Sequence, residues 1–218
     1  MLDAVLVPPR APHSATVVWL HGLGASGHDF EPVVPLMKRP DVRWVFPHAP
    51  AAPVTINGGF VMPSWYDIKT LARGPGREDE GDIDVSAERI GALVDAEVER
   101  VGRSDRVVLL GFSQGAAMSL HVGARYPSRL AGIGCLSGYL VVPERLESER
   151  SAANEETPMF FGHGTGDPVV PLAGGRHAHA RFTELGHPTV WGDWPMGHEV
   201  CLEELEQIRG WLNEVIPS

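Results

Sequence analysis

Short runs of consecutive apolar residues alternate along this chain with longer stretches in which apolar residues recur every three or four positions. The continuous runs predict strands that are buried on both faces, and the longer spacing predicts amphipathic helices. Regular alternation of the two is typical of an α/β fold with a mainly parallel central sheet. The predicted strands cover residues 4–7, 16–20, 42–46, 106–110, 132–136, 159–162 and 189–194.

Four segments have the spacing of helices. The clearest is 84–101, where Ile90, Leu93 and Val94 fall on one face, acidic residues lie at the start and Gly102 follows the end. The other predicted helices are 114–126, 172–185 and 199–215. We expect these helices to flank the sheet on both faces, in one domain that spans residues 1–218.

The segment 47–81 has neither pattern. It is rich in Pro and Gly, yet it contains Phe60, Met62, Trp65 and Tyr66. A long loop within a compact domain is typically a binding element or disordered, and the aromatic residues favour the first interpretation. We therefore predict a long structured loop here.

Charge excludes some classes of partner. The chain has a formal net charge of −10 and no cluster of Lys or Arg, so we expect no binding to nucleic acid or to an anionic membrane surface. The start of the chain carries Asp3 and its apolar stretch ends at Pro8, which does not resemble a secretion signal. No apolar run reaches the roughly 20 residues that a membrane span needs. We expect a cytoplasmic protein without integral membrane association.

The segment Gly111-Phe112-Ser113-Gln114-Gly115 joins a predicted strand to a predicted helix. This is the G-x-S-x-G pattern in the strand–turn–helix setting that exposes a nucleophilic serine. Glycine two residues to either side of the serine avoids collisions in so tight a turn. The competing interpretation is an ordinary serine in a turn beside the core.

A serine nucleophile needs a histidine base and an orienting carboxylate, expected in the order Ser, Asp or Glu, His. Asp167 follows a predicted strand in a glycine-rich loop, and His198 follows the next strand. Both are therefore expected at the carboxyl edge of the sheet. Asp193 is a weaker candidate acid, which we interpret as structural. The histidines that compete with His198 lie in or just after a helix: His177, His179 and His187.

Acyl transfer also needs hydrogen-bond donors for the oxyanion. The backbone amide of Gln114, directly after the serine, is the first predicted donor. A second is expected from the loop His21-Gly22-Leu23-Gly24, because its glycines allow backbone amides to turn toward the cleft.

With these residues in place, the chain resembles the phospholipase/carboxylesterase family of α/β-hydrolases, whose members include bacterial carboxylesterases and acyl-protein thioesterases. The resemblance extends over nearly the whole chain. The matching segments are HGLGASGHDF (21–30), FPHAP (46–50), NGGFVMPSWYDI (57–68), GFSQGAAMSLH (111–121), YPSRLAGIGCLSGYL (126–140), HGTGDPVVP (163–171) and PMGHEVC (195–201).

The resemblance implies roles for particular residues. Ser113, Asp167 and His198 match the catalytic triad, and the amides of Leu23 and Gln114 match the oxyanion hole. The resemblance also assigns the loop 57–68 to the acyl pocket, with Trp65, Met62 and Phe112 as the predicted substrate-binding residues, although Trp65 and Tyr66 fit equally well as core residues. The charged run 77–82 is interpreted as a solvated loop. No metal and no cofactor are expected, because the chemistry needs neither.

Two classes of function follow. The first is a serine hydrolase that cleaves carboxylic esters through an acyl-enzyme, with a small-molecule ester or acyl compound as substrate. Short-chain esters, lysophospholipids and S-acylated proteins all remain open as substrates. The second is a non-catalytic relative that binds an acyl ligand or a partner protein. The family includes dimers, so a homodimer with Leu71 or Trp211 exposed on its surface is a further expectation, made by analogy.

Overall fold

The structure of the protein is a computed structural model that describes residues 2–70, 74 and 76–217. Seven strands form the central sheet, in the order β1-β3-β2-β6-β7-β8-β9, and β4 and β5 form a separate hairpin. The strands are β1 Ala4–Val7, β2 Ala15–Leu20, β3 Val42–Pro47, β4 Ala51–Val54, β5 Phe60–Pro63, β6 Val107–Phe112, β7 Gly132–Leu136, β8 Met159–Gly164 and β9 Thr189–Trp194.

The sheet is parallel except at one edge, where β1 pairs with β3 in the antiparallel sense. The carboxyl ends of β2, β6, β8 and β9 consequently lie along one edge, the edge where sites in parallel sheets collect. β2 is the direct neighbour of β6, so the loop after β2 starts beside the loop after β6. The predicted mainly parallel α/β sheet is confirmed.

Helices cover both faces of this sheet. α2, α3 and α5 pack on one face, whereas α6 packs on the other together with α1. Within the residues that the structure describes, none of the helices is long and apolar enough to cross a membrane. The helices are α1 Val34–Met37, α2 Glu80–Val101, α3 Gln114–Arg125, α4 Leu146–Glu149, α5 Leu172–Glu184 and α6 Leu202–Val215.

Several predicted boundaries are wrong by two to four residues. β6 extends through Phe112 because this residue still pairs with Leu136 of β7. α2 begins at Glu80 rather than at residue 84, because the side chain of Asp79 accepts a hydrogen bond from the amide of Asp82 and caps the helix. α6 begins only at Leu202, so the residues after His198 are extended loop.

The predicted long loop 47–81 is structured and contains the β4–β5 hairpin, which the sequence analysis missed. Its turn includes Gly58 and Gly59, both at positive φ, where glycine is favoured. The interpretation of residues 77–82 as a solvated loop is wrong. The last three residues of this run form the start of α2. Arg77 is partly buried and stacks on the ring of Tyr139 at 4.5 Å.

Glycines on three neighbouring strands bring α6 close to the sheet. A methyl group on Gly132 would lie 2.7 Å from the ring of Trp211, and one on Gly192 would lie 2.5 Å from Gln207 Oε1. The contact requires Trp211 to be buried, and only 4% of it is exposed. Its predicted exposure in a dimer interface is therefore wrong, and Leu71 lies outside the described residues.

Glu204 on α6 packs against the third of these glycines, Gly162 of β8, where an added methyl group would collide with its carboxylate. The side chain is fully buried, and neither oxygen has a hydrogen-bond partner among the described residues. Burial raises the pKa of Glu204 from 4.5 to about 8. The carboxyl group is therefore protonated in the folded protein at neutral pH.

This burial predicts a pH-dependent stability. Between about pH 4.5 and 8 the folded protein keeps a proton that the unfolded chain releases, so the free energy of unfolding falls as pH rises, by about 1.4 kcal/mol per unit. We expect Glu204→Gln to remove this slope. The free energy of unfolding of the variant, relative to that of the wild type, should therefore increase from pH 5 to pH 8. Urea unfolding at several pH values measures the effect. The exposed neighbour Glu203 provides the control, Glu203→Gln, which should keep the wild-type slope; a parallel profile in Glu204→Gln would contradict the prediction.

Candidate active site

Ser113 directly follows β6 and precedes α3 in a strained conformation. Its backbone has φ 55° and ψ −118°, and the side chain is 8% exposed. The flanking glycines are required by space. A methyl group on Gly111 would collide with the carbonyl of Gly115, and one on Gly115 would lie 2.5 Å from the carbonyl oxygens of Leu20 and His21. The turn thus has the geometry that lifts a serine hydroxyl above the sheet.

His198 lies within hydrogen-bond distance of this serine. The separation between His198 Nε2 and Ser113 Oγ is 2.8 Å, although the two residues are 85 positions apart in the sequence. The ring of Phe112 contacts the imidazole at a centroid distance of 4.8 Å and supports it from one side. In this arrangement the hydroxyl donates to the imidazole, as a base-activated nucleophile requires.

Asp167 accepts a hydrogen bond from the other ring nitrogen of His198, with 2.7 Å between Oδ2 and Nδ1. Its second oxygen, Oδ1, accepts from the amides of Val169 at 2.8 Å and Val170 at 2.9 Å. The side chain is fully buried. Amide donors on one oxygen and an imidazole on the other hold the carboxylate in one orientation.

His163 contacts the loop that carries Asp167. Its side chain is buried, its Nε2 donates to the carbonyl of Val170 at 2.9 Å, and it lies 3.5 Å from Asp167 Oδ2. Burial lowers the pKa of His163, so the ring is neutral beside the carboxylate. His163 was not among the predicted site residues, and its place directly before Gly164, the last residue of β8, was the signal available.

The competing acid and bases lie elsewhere. Asp193 accepts hydrogen bonds from Arg176 and from the indole of Trp191, which agrees with a structural role. His179 bonds to Thr189, and burial lowers its pKa. His187 is within hydrogen-bond distance of the carbonyl of Thr157. None of these contacts involves Ser113.

The loop after β2 lies directly over the serine. A methyl group on Gly22 would be 3.3 Å from Ser113 Cβ, which is tighter than an ordinary contact, so glycine favours this close approach. Leu23 follows Gly22, and Gln114 is the first residue of α3, where backbone amides lack intrahelical partners. Within the described residues, neither amide donates to a backbone carbonyl of the loops or turns. Both predicted donors thus belong to residues that directly follow a neighbour of Ser113 or Ser113 itself, and their role as an oxyanion hole stays a prediction.

His21 orients this loop through its imidazole. Its Nδ1 lies 2.7 Å from the carbonyl of Gly22, and its Nε2 accepts from the amide of Ala49 at 3.0 Å. Burial lowers the pKa of His21, which keeps the ring neutral and able to donate on one side and accept on the other.

The three predicted substrate-binding residues have different surroundings. Phe112 is partly exposed between His198 and Phe30. Met62 is partly exposed on β5, and its sulfur would lie 3.5 Å from a methyl group on Gly24. Trp65 is only 2% exposed, and its indole donates to the carbonyl of His21 in the β2 loop. This burial agrees with the interpretation of Trp65 as a core residue, and its role in the acyl pocket stays a prediction.

Two cavities differ in their relation to Ser113. The first, about 410 Å³, opens at the carboxyl edge of the sheet and shares Val170 with the Asp167 loop. The second, about 550 Å³, includes Trp211, Pro158 and Pro188 and lies at the opposite edge, away from the predicted catalytic residues. Of these two cavities, only the first adjoins a loop that carries a predicted catalytic residue. Across the described ranges, no three His, Cys, Asp or Glu side chains cluster in a way that would hold a metal ion.

The fold and the carboxyl-edge arrangement of serine, histidine and aspartate are those of an α/β-hydrolase. The sequence model of the phospholipase/carboxylesterase family matches residues 1–216. The chain belongs to this family.

Similar proteins include several with named activities. Acyl-protein thioesterase 1 of Neurospora crassa is 38% identical over 98% of this chain and 92% of its own length, and that of Yarrowia lipolytica is 38% identical over 98% and 97%. Among solved structures, Arabidopsis thaliana SOBER1 has a TM-score of 0.86 at 32% identity, covering 92% of this chain and 98% of its own. Zea mays acyl-protein thioesterase 2 also has a TM-score of 0.86, at 26% identity, covering 99% of this chain and 100% of its own.

Proposed function

We propose that the protein is a serine hydrolase that cleaves carboxylic esters and thioesters through an acyl-enzyme intermediate. The observation that carries the proposal is the hydrogen-bonded series from Ser113 through His198 to Asp167, with separations of 2.8 Å and 2.7 Å. The proposed base, His198, thus contacts both the proposed nucleophile and the proposed orienting acid.

Each proposed step follows from this geometry. Ser113 Oγ attacks the acyl carbonyl while its proton passes to His198 Nε2, and the carbonyl electron pair moves to the oxygen. The amides of Leu23 and Gln114 donate to this oxyanion. His198 then protonates the departing alcohol or thiol as the tetrahedral species collapses. In the second half, His198 takes a proton from water as the water oxygen attacks the acyl carbon, and it returns this proton to Ser113 Oγ when the bond between Oγ and the acyl group breaks.

The substrate class is proposed more broadly than the names of the relatives. The curated relatives are called acyl-protein thioesterases, and a structural relative is called esterase PE8. Both activities use the same acyl-enzyme chemistry and differ in the leaving group. We propose a carboxylesterase of broad specificity as the main function, with acyl-protein thioesterase or lysophospholipase as the alternatives. The cavity of about 410 Å³ beside Val170 is the proposed space for part of the substrate.

A non-catalytic acyl-binding relative is the remote alternative. It has no need for an imidazole aligned between a hydroxyl and a buried carboxylate, or for a strained serine at φ 55°. Backbone strain of this kind costs on the order of 1–3 kcal/mol and is concentrated at functional sites. The geometry therefore favours the enzyme.

The test combines covalent labelling with turnover. The purified protein is treated with a fluorophosphonate probe, and the modified peptide is identified by mass spectrometry; we expect one adduct, on Ser113. Turnover is measured on p-nitrophenyl esters and matching acyl thioesters of increasing chain length. Labelling together with ester hydrolysis supports the main function, and a preference for long-chain thioesters supports the thioesterase alternative. Absence of both labelling and turnover would sink the proposal.

A further inference from the structure

The two proposed oxyanion donors belong to separate elements of the fold. Leu23 lies in the loop after β2, whereas Gln114 begins α3. Their amides must converge on one oxygen, and a displacement of about 1 Å can cost about 10²-fold in rate. The relative position of loop and helix is therefore a catalytic requirement in itself.

Residues 63–66, which we call the bridging segment, bind the β2 loop at two points. The amide of Gly24 donates to the carbonyl of Pro63 at 2.8 Å. The indole Nε1 of Trp65 donates to the carbonyl of His21, also at 2.8 Å. These contacts lie on either side of Leu23, so they fix the backbone that carries its amide.

The same segment binds the side chain of Gln114. The amide of Trp65 donates to Gln114 Oε1 at 2.8 Å, and Gln114 Nε2 donates to the carbonyl of Tyr66 at 2.7 Å. A carboxamide that accepts on one side and donates on the other has a single orientation. The residue whose backbone amide is a proposed donor is thus held in place by its own side chain.

The bridging segment is rigidly held in its surroundings. Trp65 and Tyr66 are 2% and 1% exposed, and Gln114 is 2% exposed. The carbonyl of Trp65 accepts a hydrogen bond from Ser86 of α2, and the hydroxyl of Tyr66 lies 2.8 Å from that of Tyr139. Buried hydrogen-bond networks with every member satisfied hold one conformation.

We propose that the bridging segment positions the oxyanion hole, with the Trp65 indole and the Gln114 carboxamide as its positioning residues. The inference rests on the proposed serine hydrolase function. Neither side chain needs to touch the substrate, because each acts through the backbone amide of Leu23 or Gln114. Their loss should weaken binding of the transition state more than binding of the ester.

The first test uses a matched pair of tryptophans. Trp65→Phe removes the donor to His21, whereas Trp44→Phe removes an indole of equal size and burial whose Nε1 has no hydrogen-bond partner among the described residues. We expect Trp65→Phe to lower kcat about tenfold, with KM changed less than about twofold. Trp44→Phe should keep the wild-type kcat and KM.

The second test changes the carboxamide. Gln114→Met keeps the backbone amide and the side-chain length but removes both hydrogen bonds, and we expect a loss of kcat between about 10- and 100-fold. Gln114→Glu offers only acceptors when ionised but can donate to the carbonyl of Tyr66 when protonated. Its activity relative to wild type should therefore recover as pH falls, a change that a purely structural defect would not produce.

The decisive measurement compares each variant on a transition-state analogue. An alkyl trifluoromethyl ketone, which forms a tetrahedral adduct with an active serine, should bind the Trp65→Phe and Gln114→Met enzymes more weakly by the same factor as kcat/KM falls. Unchanged analogue binding in these variants, or unchanged kcat, would overturn the inference. Both outcomes are distinct from failure of the proposed function, in which the wild-type protein would show neither labelling nor turnover, or Ser113→Ala would remain active.

Discussion

Replacement of Ser113 by alanine is expected to lower kcat for ester hydrolysis by about 10⁵- to 10⁶-fold. The hydroxyl lies 2.8 Å from Nε2 of His198, the proposed base. Without Oγ no acyl-enzyme can form, so fluorophosphonate labelling should disappear as well. Steady-state kinetics on a p-nitrophenyl ester and mass spectrometry of the treated protein measure both effects.

Two variants control this prediction. Ser137 is a matched control, because it also follows a strand of the sheet, has positive φ (48°) and is buried. Ser137 has no proposed role in catalysis, and we expect Ser137→Ala to keep wild-type turnover. Ser113→Gly should be as inactive as Ser113→Ala but more stable, because glycine tolerates the positive φ of 55° without strain. Substantial activity in Ser113→Ala would contradict the proposed mechanism.

The Asp167→Asn enzyme is expected to lose about 10⁴-fold in kcat with little change in stability. The amides of Val169 and Val170 both donate to Oδ1, so they will hold the carboxamide oxygen on their side. The carboxamide NH₂ must then face His198 Nδ1 and donate to it. The proton of the imidazole then lies on Nε2, so this nitrogen cannot accept the proton of Ser113.

Asp193→Asn is the matched control for this change. Asp193 is the acid that competes with Asp167 in the sequence, but it pairs with Arg176 and Trp191 in the structure. We expect this substitution to leave kcat within about twofold of the wild-type value. It should also leave the fold intact, since exposed ion pairs contribute little to stability. Equal losses in the two variants, measured on the same ester, would refute the assignment of Asp167.

Strand and helix order could be predicted because local spacing determines them. The apolar runs of β6 through β9 and the periodic face of α2 each reflect burial within one segment, and the parallel α/β sheet follows from their alternation. The boundaries were less accurate. Residue Phe112 belongs to β6 only because Leu136 pairs with it, and such pairing leaves no periodic signal in either segment.

The hairpin β4–β5 was missed for a related reason. Its strands have four residues each and include Pro53 and Pro63, whose presence argues against a strand in the sequence. The antiparallel pairing and the turn at Gly58 and Gly59 supply what these short strands lack in local preference.

The candidate site, like the fold, could be predicted only in part from the sequence. The sequence by itself determined the order of Ser113, Asp167 and His198 and their places after strands, because a parallel sheet brings those strand ends to one edge. Only the tertiary structure decided that Trp65 and Gln114 join the β2 loop to the start of α3, and that Glu204 is buried without a hydrogen-bond partner among the described residues. These contacts join segments about 40 to 50 residues apart, and the spacing of residues within one segment carries no information about the side chains of another.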